Sequence, residues 1–313
     1  MANNLTIDDK IKLAIDLCNK KKIKSNQFKY LYPFTTENIN GYIDLFDLRD
    51  KTLLTVGSSG DQVLNAIFMD CKDITLYDIC PFTKEYFYLK MALIMQTTRL
   101  GYLQFLCYKN YPIWPFKNCK SFDKITFDKI YEYLKYIDEE SSYFWQQLFI
   151  YINNKDVRKG LFNPDEYNYR VVSKMNRYLI SDDEYNSLRD KIDKVCLQFE
   201  NGDIFDIDMN NKYDNIWLSN IAAYLNLDSF KEIFDKMSIM LKDDGKLLVS
   251  YLYDTDVDTP CIDEKNNIYS IKEVYNYLSN ELVYTSFIGN NGLSVNDKRM
   301  TDSVLTYKKV KKI

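Results

Sequence analysis

Residues 52–81 read TLLTVGSSGDQVLNAIFMDCKDITLYDICP, and this stretch decides how the chain folds. It begins with a short apolar run rich in β-branched residues, which predicts a buried strand, and Gly57-Ser58-Ser59-Gly60 breaks that run. A helix capped by Asp61 is expected next, and a second β-rich run ends at Asp78. Strand, glycine turn, helix, strand and terminal carboxylate form the βαβ plan that binds an adenosine-containing ligand.

The turn and the carboxylate also indicate which nucleoside is favoured. Asp78 lies 21 positions after Gly57, which is the spacing of an acid that binds ribose hydroxyls. The G-x-G-x-x-G pattern of NAD-binding turns is absent, because Ser59 stands where its second glycine would be. S-adenosyl-L-methionine has no pyrophosphate and needs fewer close backbone approaches, so the turn favours it. The alternative is an ordinary β–α connection without a ligand.

Composition excludes several classes of function. The chain has 313 residues, 46% of them hydrophobic and 27% charged, as in a globular protein. A net charge of −4 gives no electrostatic reason to expect nucleic-acid binding. The sequence has no apolar run of about 18 residues and no signal peptide. Its seven scattered cysteines lack a C-x-x-C pair, so a cytoplasmic location is expected.

The sequence contains no histidine. This excludes Ser–His–Asp and Cys–His catalysis and removes the commonest zinc ligand, and no metal site is predicted. Proton transfer then falls to Asp, Glu, Tyr, Lys or water. Tyr224, Tyr251 and Tyr253 follow predicted strand ends and are the candidate catalytic residues, although packing in the core or at its rim is the more frequent role of a tyrosine in this tyrosine-rich chain.

The chain is divided into three predicted segments. Residues 1–50 form an N-terminal helical arm, which either folds over the nucleoside pocket or only packs against the core. Residues 51–100 and 196–313 form the α/β domain, and residues 101–195 form a helical insertion. The insertion is placed on the substrate side of the crevice, or else it is an oligomerisation surface. The oligomeric state is left open.

Local signals place several element ends. Thr6 is expected to cap a helix over 7–22, and Thr36 a short helix from Glu37. A single helix is predicted from Thr83 to Leu100, and Gly245 is predicted to end the helix before the fifth strand. A further helix over 270–283 precedes two runs, LVYTSFIG and SVLTYKK, that predict an antiparallel pair at the sheet edge.

The order of strands and polar residues resembles class I S-adenosylmethionine-dependent transferases, across roughly residues 50–310. The resemblance implies a Rossmann-like doubly wound sheet of the class I methyltransferase type, with Gly57 and Gly60 near the amino-acid part of the cofactor. It implies that Asp78 binds the ribose and Asp203 the adenine amino group. It also places Ser219 and Asn220 where the transferred group meets its acceptor. The predicted cofactor site is completed by Ser58, Ser59, Ile79 and Ile204.

Two departures from that class are similar to a narrower group. Thr55 replaces an acidic residue two positions before the first glycine, and the G-x-G-x-G loop is missing. The chain resembles relatives of the betaine-lipid enzyme that transfers a 3-amino-3-carboxypropyl group to diacylglycerol. Five stretches carry this resemblance: Ser58-Ser59-Gly60-Asp61-Gln62, Asp78-Ile79-Cys80-Pro81, Leu89-Lys90, Phe144-Trp145 and Ser219-Asn220.

The expected activity is therefore an SN2 displacement at a carbon attached to the cofactor's sulfonium. The group moved is methyl or 3-amino-3-carboxypropyl, and the acceptor is a small molecule or a lipid. One alternative is an ordinary class I methyltransferase of a small molecule. The other is a non-catalytic S-adenosylmethionine binder or scaffold.

Overall fold

The structure, a computed structural model, describes residues 5–19, 30–107, 132, 134–135, 137–163, 167–221, 225–253, 260–262, 268–270, 282–288 and 302–309. The strands in these ranges are β1 (Thr52–Val56), β2 (Asp73–Asp78), β3 (Cys196–Asn201), β4 (Tyr213–Trp217), β5 (Leu241–Tyr253), β6 (Pro260–Ile262), β7 (Ile268–Ser270), β8 (Leu282–Ile288) and β9 (Asp302–Lys309). The helices are α1 (Ile7–Cys18), α2 (Asp61–Phe68), α3 (Thr83–Gln96), α4 (Arg99–Leu106), α5 (Glu139–Tyr151), α6 (Asn154–Leu161), α7 (Tyr169–Met175), α8 (Asp182–Arg189) and α9 (Leu227–Met240).

Seven of these strands form one sheet, in the order β3-β2-β1-β4-β5-β9-β8. The first five strands are parallel, whereas β9 runs antiparallel to both β5 and β8. The order reverses between β1 and β4, which creates a crevice at their carboxyl ends. The predicted Rossmann-like doubly wound α/β fold is confirmed, and so is the antiparallel pair at the sheet edge.

The sheet is buried on both faces. Alternate residues of β1 point to opposite sides, as the two-residue period of a strand requires: Leu53 joins one hydrophobic core and Leu54 the other. The first core receives side chains from α1, α2, α3, α5 and α8, and the second receives those of α9. The predicted arm and insertion therefore pack into the same core as the first βαβ unit, and their segment boundaries stay predictions.

The first helix begins as its sequence indicates. The Thr6 side chain accepts the N–H of Asp9, and the Asp9 side chain accepts the N–H of Thr6, so a capping box fixes the start of α1. The short helix predicted from Glu37 is wrong. The chain instead forms two 3₁₀ turns, Ile39–Gly41 and Ile43–Leu45, and Glu37 is buried before them.

Two other helix ends differ from prediction. The helix predicted over 83–100 is interrupted, because Thr98 accepts the N–H of Gly101 at 3.1 Å and so caps α4 as a separate helix. Gly245 does not end a helix: α9 stops at Met240, and Gly245 lies within β5. In the predicted helix over 270–283, residues 271–281 lie outside the described part of the chain.

Asp61 is not the cap of α2. Gly60 occupies the N-cap with a φ of +80°, and the Asp61 side chain forms an ion pair with Lys90, 2.6 Å between Oδ1 and Nζ. Both side chains are fully buried. The Lys90 ammonium also donates to the carbonyls of Ser59 at 2.8 Å and Pro33 at 3.2 Å. These bonds supply the partners that a buried ammonium requires.

The Asp61 carboxylate has two further donors from distant parts of the chain. It accepts the backbone N–H of Thr35 at 2.6 Å and the hydroxyl of Tyr178 at 2.8 Å. Together with Lys90 and Ser59, these contacts join the N-terminal arm, the glycine turn, α3 and the region after α7 at one buried point.

The ion pair predicts a specific loss of stability. Lys90→Met leaves Asp61 as an uncompensated buried charge and is expected to lower the free energy of unfolding by about 3–5 kcal/mol. The double variant Asp61→Asn/Lys90→Met should lose less than the sum of the two single variants. Chemical denaturation monitored by circular dichroism measures these differences.

Lys84→Met is the matched control on the same helix. Lys84 pairs with the half-exposed Glu140 at 2.5 Å, and such a pair is worth less than about 1 kcal/mol. Equal losses in the Lys90 and Lys84 variants would show that the buried pair stabilises the fold no more than an exposed pair does.

Candidate functional site

A cleft of about 310 Å³ opens at the carboxyl ends of the central strands, where the sheet order reverses. Its size is that of a small-molecule site. Three parts of the chain line it: the arm over 30–37, the ends of β1 and β2 with the residues that follow, and the loops after β3 and β4. The described residues between 101 and 195 do not line the cleft.

The insertion contacts the arm through backbone hydrogen bonds, and its place on the substrate side stays a prediction. Leu31 donates its N–H to the carbonyl of Leu161 and accepts the N–H of Asn163, both at 2.8 Å. Leu31 itself lines the cleft, so these bonds fix one of its walls. The arm is therefore both a packing element and a wall of the cleft. That it folds over a bound nucleoside stays a prediction.

The backbone N–H groups of the glycine turn form hydrogen bonds within the protein. The N–H of Gly57 donates to the carbonyl of Tyr77 at 2.9 Å, and that of Gly60 to the carbonyl of Gly57 at 2.7 Å. The N–H of Ser58 donates to the Asp78 carboxylate at 2.5 Å. These three N–H groups already have acceptors within the protein, so they cannot form the row of free donors that a pyrophosphate requires.

The two glycines are required by packing against α3. A Cβ at Gly57 would lie 2.5 Å from Cγ2 of Thr83, and one at Gly60 would lie 2.7 Å from Cδ2 of Phe87. Gly60 also has a φ of +80°, which favours glycine. The turn is held tightly against the start of α3, and Ser58 is the residue of the turn that lines the cleft.

Asp78 ends β2 and faces the cleft with a partly satisfied carboxylate. Oδ2 accepts the N–H of Ser58, and Oδ1 accepts the N–H of Cys80 at 2.8 Å. Burial raises the pKa of Asp78, and these amide hydrogen bonds oppose the rise. A carboxylate accepts about four hydrogen bonds, so Asp78 has room for two more donors, such as a pair of neighbouring hydroxyls.

The wall on the β3 side combines apolar surface with a carboxylate. Ile79 is 44% exposed and Ile204 is buried, and both line the cleft with the exposed Asp203. Tyr77 lines the same region, and its hydroxyl is buried without a hydrogen-bond partner among the described residues. This wall fits a flat heterocycle that carries an amino group.

Glu37 of the arm is the buried acid that the sequence analysis did not identify. Its Oε2 accepts the hydroxyls of Tyr42 at 2.5 Å and Ser250 at 2.6 Å, and its Oε1 accepts the hydroxyl of Ser219. Burial raises the pKa of Glu37, and these hydrogen bonds act in the opposite direction. The sequence offered one weak signal, a lone acid in an aromatic stretch before the first strand.

Ser219 lies behind the cleft wall and supports Glu37 from the end of β4. Its backbone φ of +54° is in the left-handed region, and its hydroxyl also accepts a hydrogen bond from Gln62 Nε2 at 3.1 Å. The adjacent Asn220 lines the cleft. The junction of arm, α2 and β4 is thus a connected polar network at one end of the cleft.

All the charged side chains among the described residues that line the cleft are acidic. Glu37, Asp78 and Asp203 all line the cleft, and the described lining residues include neither a lysine nor an arginine. An anionic ligand would meet three carboxylates there, whereas a cationic ligand would be attracted.

The structure brings together most of the predicted cofactor site. Six of its residues line the cleft: Ser58, Asp78, Ile79, Asp203, Ile204 and Asn220. The other four lie beside the lining and shape it: Gly57, Ser59, Gly60 and Ser219. Their predicted roles stay predictions. Tyr224 lies outside the described residues, and Tyr251 and Tyr253 lie in β5 where the structure describes the backbone alone.

Two features are absent from the described part of the chain. No helix there is both long and apolar enough to cross a bilayer. No group of three or more Asp, Glu, Cys or His side chains in the same ranges is arranged to hold a metal ion.

The chain is similar to known proteins in the path of its backbone. No protein-family model matches the sequence, and no curated protein matches it. Among solved structures, the N-methyltransferase NodS from Bradyrhizobium japonicum WM9, in complex with S-adenosyl-l-homocysteine, is 9% identical with a TM-score of 0.42, over 88% of this chain and 84% of that chain.

Two further solved structures are similar to the same degree. The glycopeptide N-methyltransferase MtfA, complexed with S-adenosylmethionine, is 8% identical with a TM-score of 0.43, over 91% of this chain and 98% of that chain. The 1,6-didemethyltoxoflavin-N1-methyltransferase of Burkholderia thailandensis is 8% identical with a TM-score of 0.42, over 88% and 76%. At these values the strand order, rather than the likeness, establishes the fold.

The buried Glu37 predicts a pH dependence of stability. Between the ordinary pKa of 4.5 and its raised value, folded Glu37 holds a proton that the unfolded chain has released. Its contribution to stability is therefore fully present below 4.5 and is lost as the pH rises through the folded pKa. Tyr42, the titratable group in contact with it, has a pKa well above 10 and stays neutral.

Glu37→Gln removes this titration. The stability of the variant relative to the wild type should rise with pH, by at most about 1.4 kcal/mol per pH unit. Urea denaturation of both proteins from about pH 5 to 8 measures the difference. A difference that does not change with pH would contradict a raised pKa at Glu37.

Proposed function

We propose that the chain is an S-adenosylmethionine-dependent transferase that binds this cofactor in the cleft. One observation carries the proposal: the crevice of a doubly wound sheet, where nucleosides bind, has three carboxylates in its lining and no basic side chain among the described lining residues. S-adenosylmethionine is a nucleoside with a positive sulfonium, whereas NAD and nucleotides carry negative phosphates. The backbone N–H groups of Gly57, Ser58 and Gly60, which are hydrogen-bonded within the protein, support the same choice.

The residues of the cleft fit the parts of this cofactor. Asp78 would accept the ribose hydroxyls with its remaining lone pairs. Ile79 and Ile204 would enclose the adenine, and Asp203 would accept its amino group. The buried hydroxyl of Tyr77, which has no partner among the described residues, would gain one from the bound nucleoside.

When bound, S-adenosylmethionine supplies an electrophilic carbon attached to a good leaving group. The protein then has to align the acceptor with that carbon and keep water out. The arm contributes by closing one side of the cleft with aromatic side chains such as Tyr32 and Phe34. A proton lost by the acceptor has to pass to a carboxylate, a tyrosine or water, since the chain has no histidine.

The transferred group is methyl or 3-amino-3-carboxypropyl, and the acceptor is a small molecule or a lipid. Each transfer leaves its own by-product. Methyl transfer releases S-adenosylhomocysteine, and aminocarboxypropyl transfer releases methylthioadenosine. The by-product therefore identifies the reaction before the acceptor is known.

Binding is tested by titration calorimetry. The wild type should bind S-adenosylmethionine and should not bind NAD or ATP. Asp78→Asn is expected to lower the affinity for S-adenosylmethionine about tenfold or more, because a charged acceptor of two hydroxyls is lost. Asp208→Asn, at an exposed acid outside the cleft lining, is the matched control and should bind as the wild type does.

Turnover is tested by mass spectrometry of small molecules after the protein, S-adenosylmethionine and a cell extract are incubated together. S-adenosylhomocysteine or methylthioadenosine above a no-protein control supports a transferase. Binding without either product would indicate a non-catalytic binder. Absence of S-adenosylmethionine binding would contradict the proposal as a whole.

A further inference from the structure

The buried carboxylates at the junction of the arm with the core differ in how their charge is balanced. Asp61 pairs with Lys90 at 2.6 Å, and the buried Glu85 pairs with Lys10 at 2.8 Å. Glu37 is 2% exposed, yet no lysine or arginine nitrogen among the described residues lies within 4.0 Å of it. A buried carboxylate without a counter-charge is costly, unless it takes up a proton or a ligand supplies a cation.

The donors that surround Glu37 are all neutral. They are the hydroxyls of Tyr42, Ser219 and Ser250, with the amide of Gln62 at 3.5 Å. They orient the carboxylate without neutralising it.

A second buried acceptor lies in the same network. Gln62 is 1% exposed, and its Nε2 donates to Ser219. This hydrogen bond fixes which end of the amide is the oxygen, and that oxygen, Oε1, has no partner among the described residues. Gln62 is not among the residues that line the cleft, so its amide supports Glu37 from within the protein.

The position of Glu37 relative to Asp78 indicates which part of a nucleoside it faces. Asp78 ends β2, whereas Glu37 is held at the ends of β4 and β5, and β1 lies between β2 and β4. Strands are spaced about 4.8 Å apart, so β2 and β4 are about 10 Å apart. Both acids line one cleft. A ligand with hydroxyls at Asp78 and a positive group at its far end spans this distance.

We infer that Glu37 binds the α-ammonium of S-adenosylmethionine, an inference that rests on the function proposed above. The ammonium is joined to the ribose through the sulfur and a short aliphatic chain, which reaches from Asp78 across the glycine turn to Glu37. The ammonium carries N–H donors for Glu37, and the sulfonium carries none. The arm thus supplies the negative charge that this chain lacks at Thr55 in β1.

The test uses three ligands that share the adenosine part. S-adenosylmethionine and S-adenosylhomocysteine carry the α-ammonium, and methylthioadenosine does not. Glu37→Gln should weaken binding of the first two by about tenfold or more and leave methylthioadenosine within about twofold of the wild type. Asp78→Asn, the matched control, should weaken all three ligands, since each has the ribose.

A second variant keeps the test decisive if Glu37→Gln does not fold, which circular dichroism would reveal. Glu37→Asp keeps the negative charge and withdraws it by one methylene group. It should weaken S-adenosylmethionine and S-adenosylhomocysteine several-fold, again without an effect on methylthioadenosine.

Three results would overturn the inference while the proposed function stands. Equal weakening of all three ligands by Glu37→Gln would mean that Glu37 only holds the arm in place. Unchanged affinities would mean that it does not touch the ligand. Weakening of S-adenosylmethionine alone would assign Glu37 to the sulfonium. Failure of the wild type to bind any of the three would instead overturn the proposed function, and this inference with it.

Discussion

The buried ion pair between Asp61 and Lys90 is the interaction on which the rest of the site depends. Lys90 donates to the carbonyl of Ser59 in the glycine turn. Other hydrogen bonds of the pair reach Pro33 and Thr35 of the arm and Tyr178 beyond α7. A buried pair of this kind is stable only when every remaining donor and acceptor is satisfied. That requirement fixes the turn, the arm and the insertion in one arrangement, and the cleft is the space that this arrangement encloses.

Charge distinguishes this cleft from other nucleotide sites of the same fold. A doubly wound sheet commonly binds phosphates at the turn after its first strand, with free amides as donors. Here the amides of Gly57, Ser58 and Gly60 are bonded within the protein, and the lining carries carboxylates. The same backbone plan is thereby adapted from an anionic to a cationic ligand, without any change in strand order.

The sequence predicted what depends on neighbouring residues and missed what depends on distant ones. β1, the glycine turn, α2 and β2 follow from local patterns, and Asp78 and Asp203 follow from their places after strands. The sequence predicts Asp61 as a helix cap because a cap is a local feature. Its ion pair with Lys90 is not predictable in this way, because the two residues are 29 positions apart. Glu37 could not be identified, because its partners Ser219 and Ser250 are 182 and 213 positions away.

The distance along the chain between Glu37 and Ser250 has a consequence for how the protein is made. A ribosome adds about 5–20 residues per second, so roughly 10 to 40 s separate the synthesis of these two residues. For that time the arm has been translated but lacks the strand end that buries its acid. The Glu37 corner of the cleft is therefore among the last parts of the molecule to assemble, after the first βαβ unit is complete.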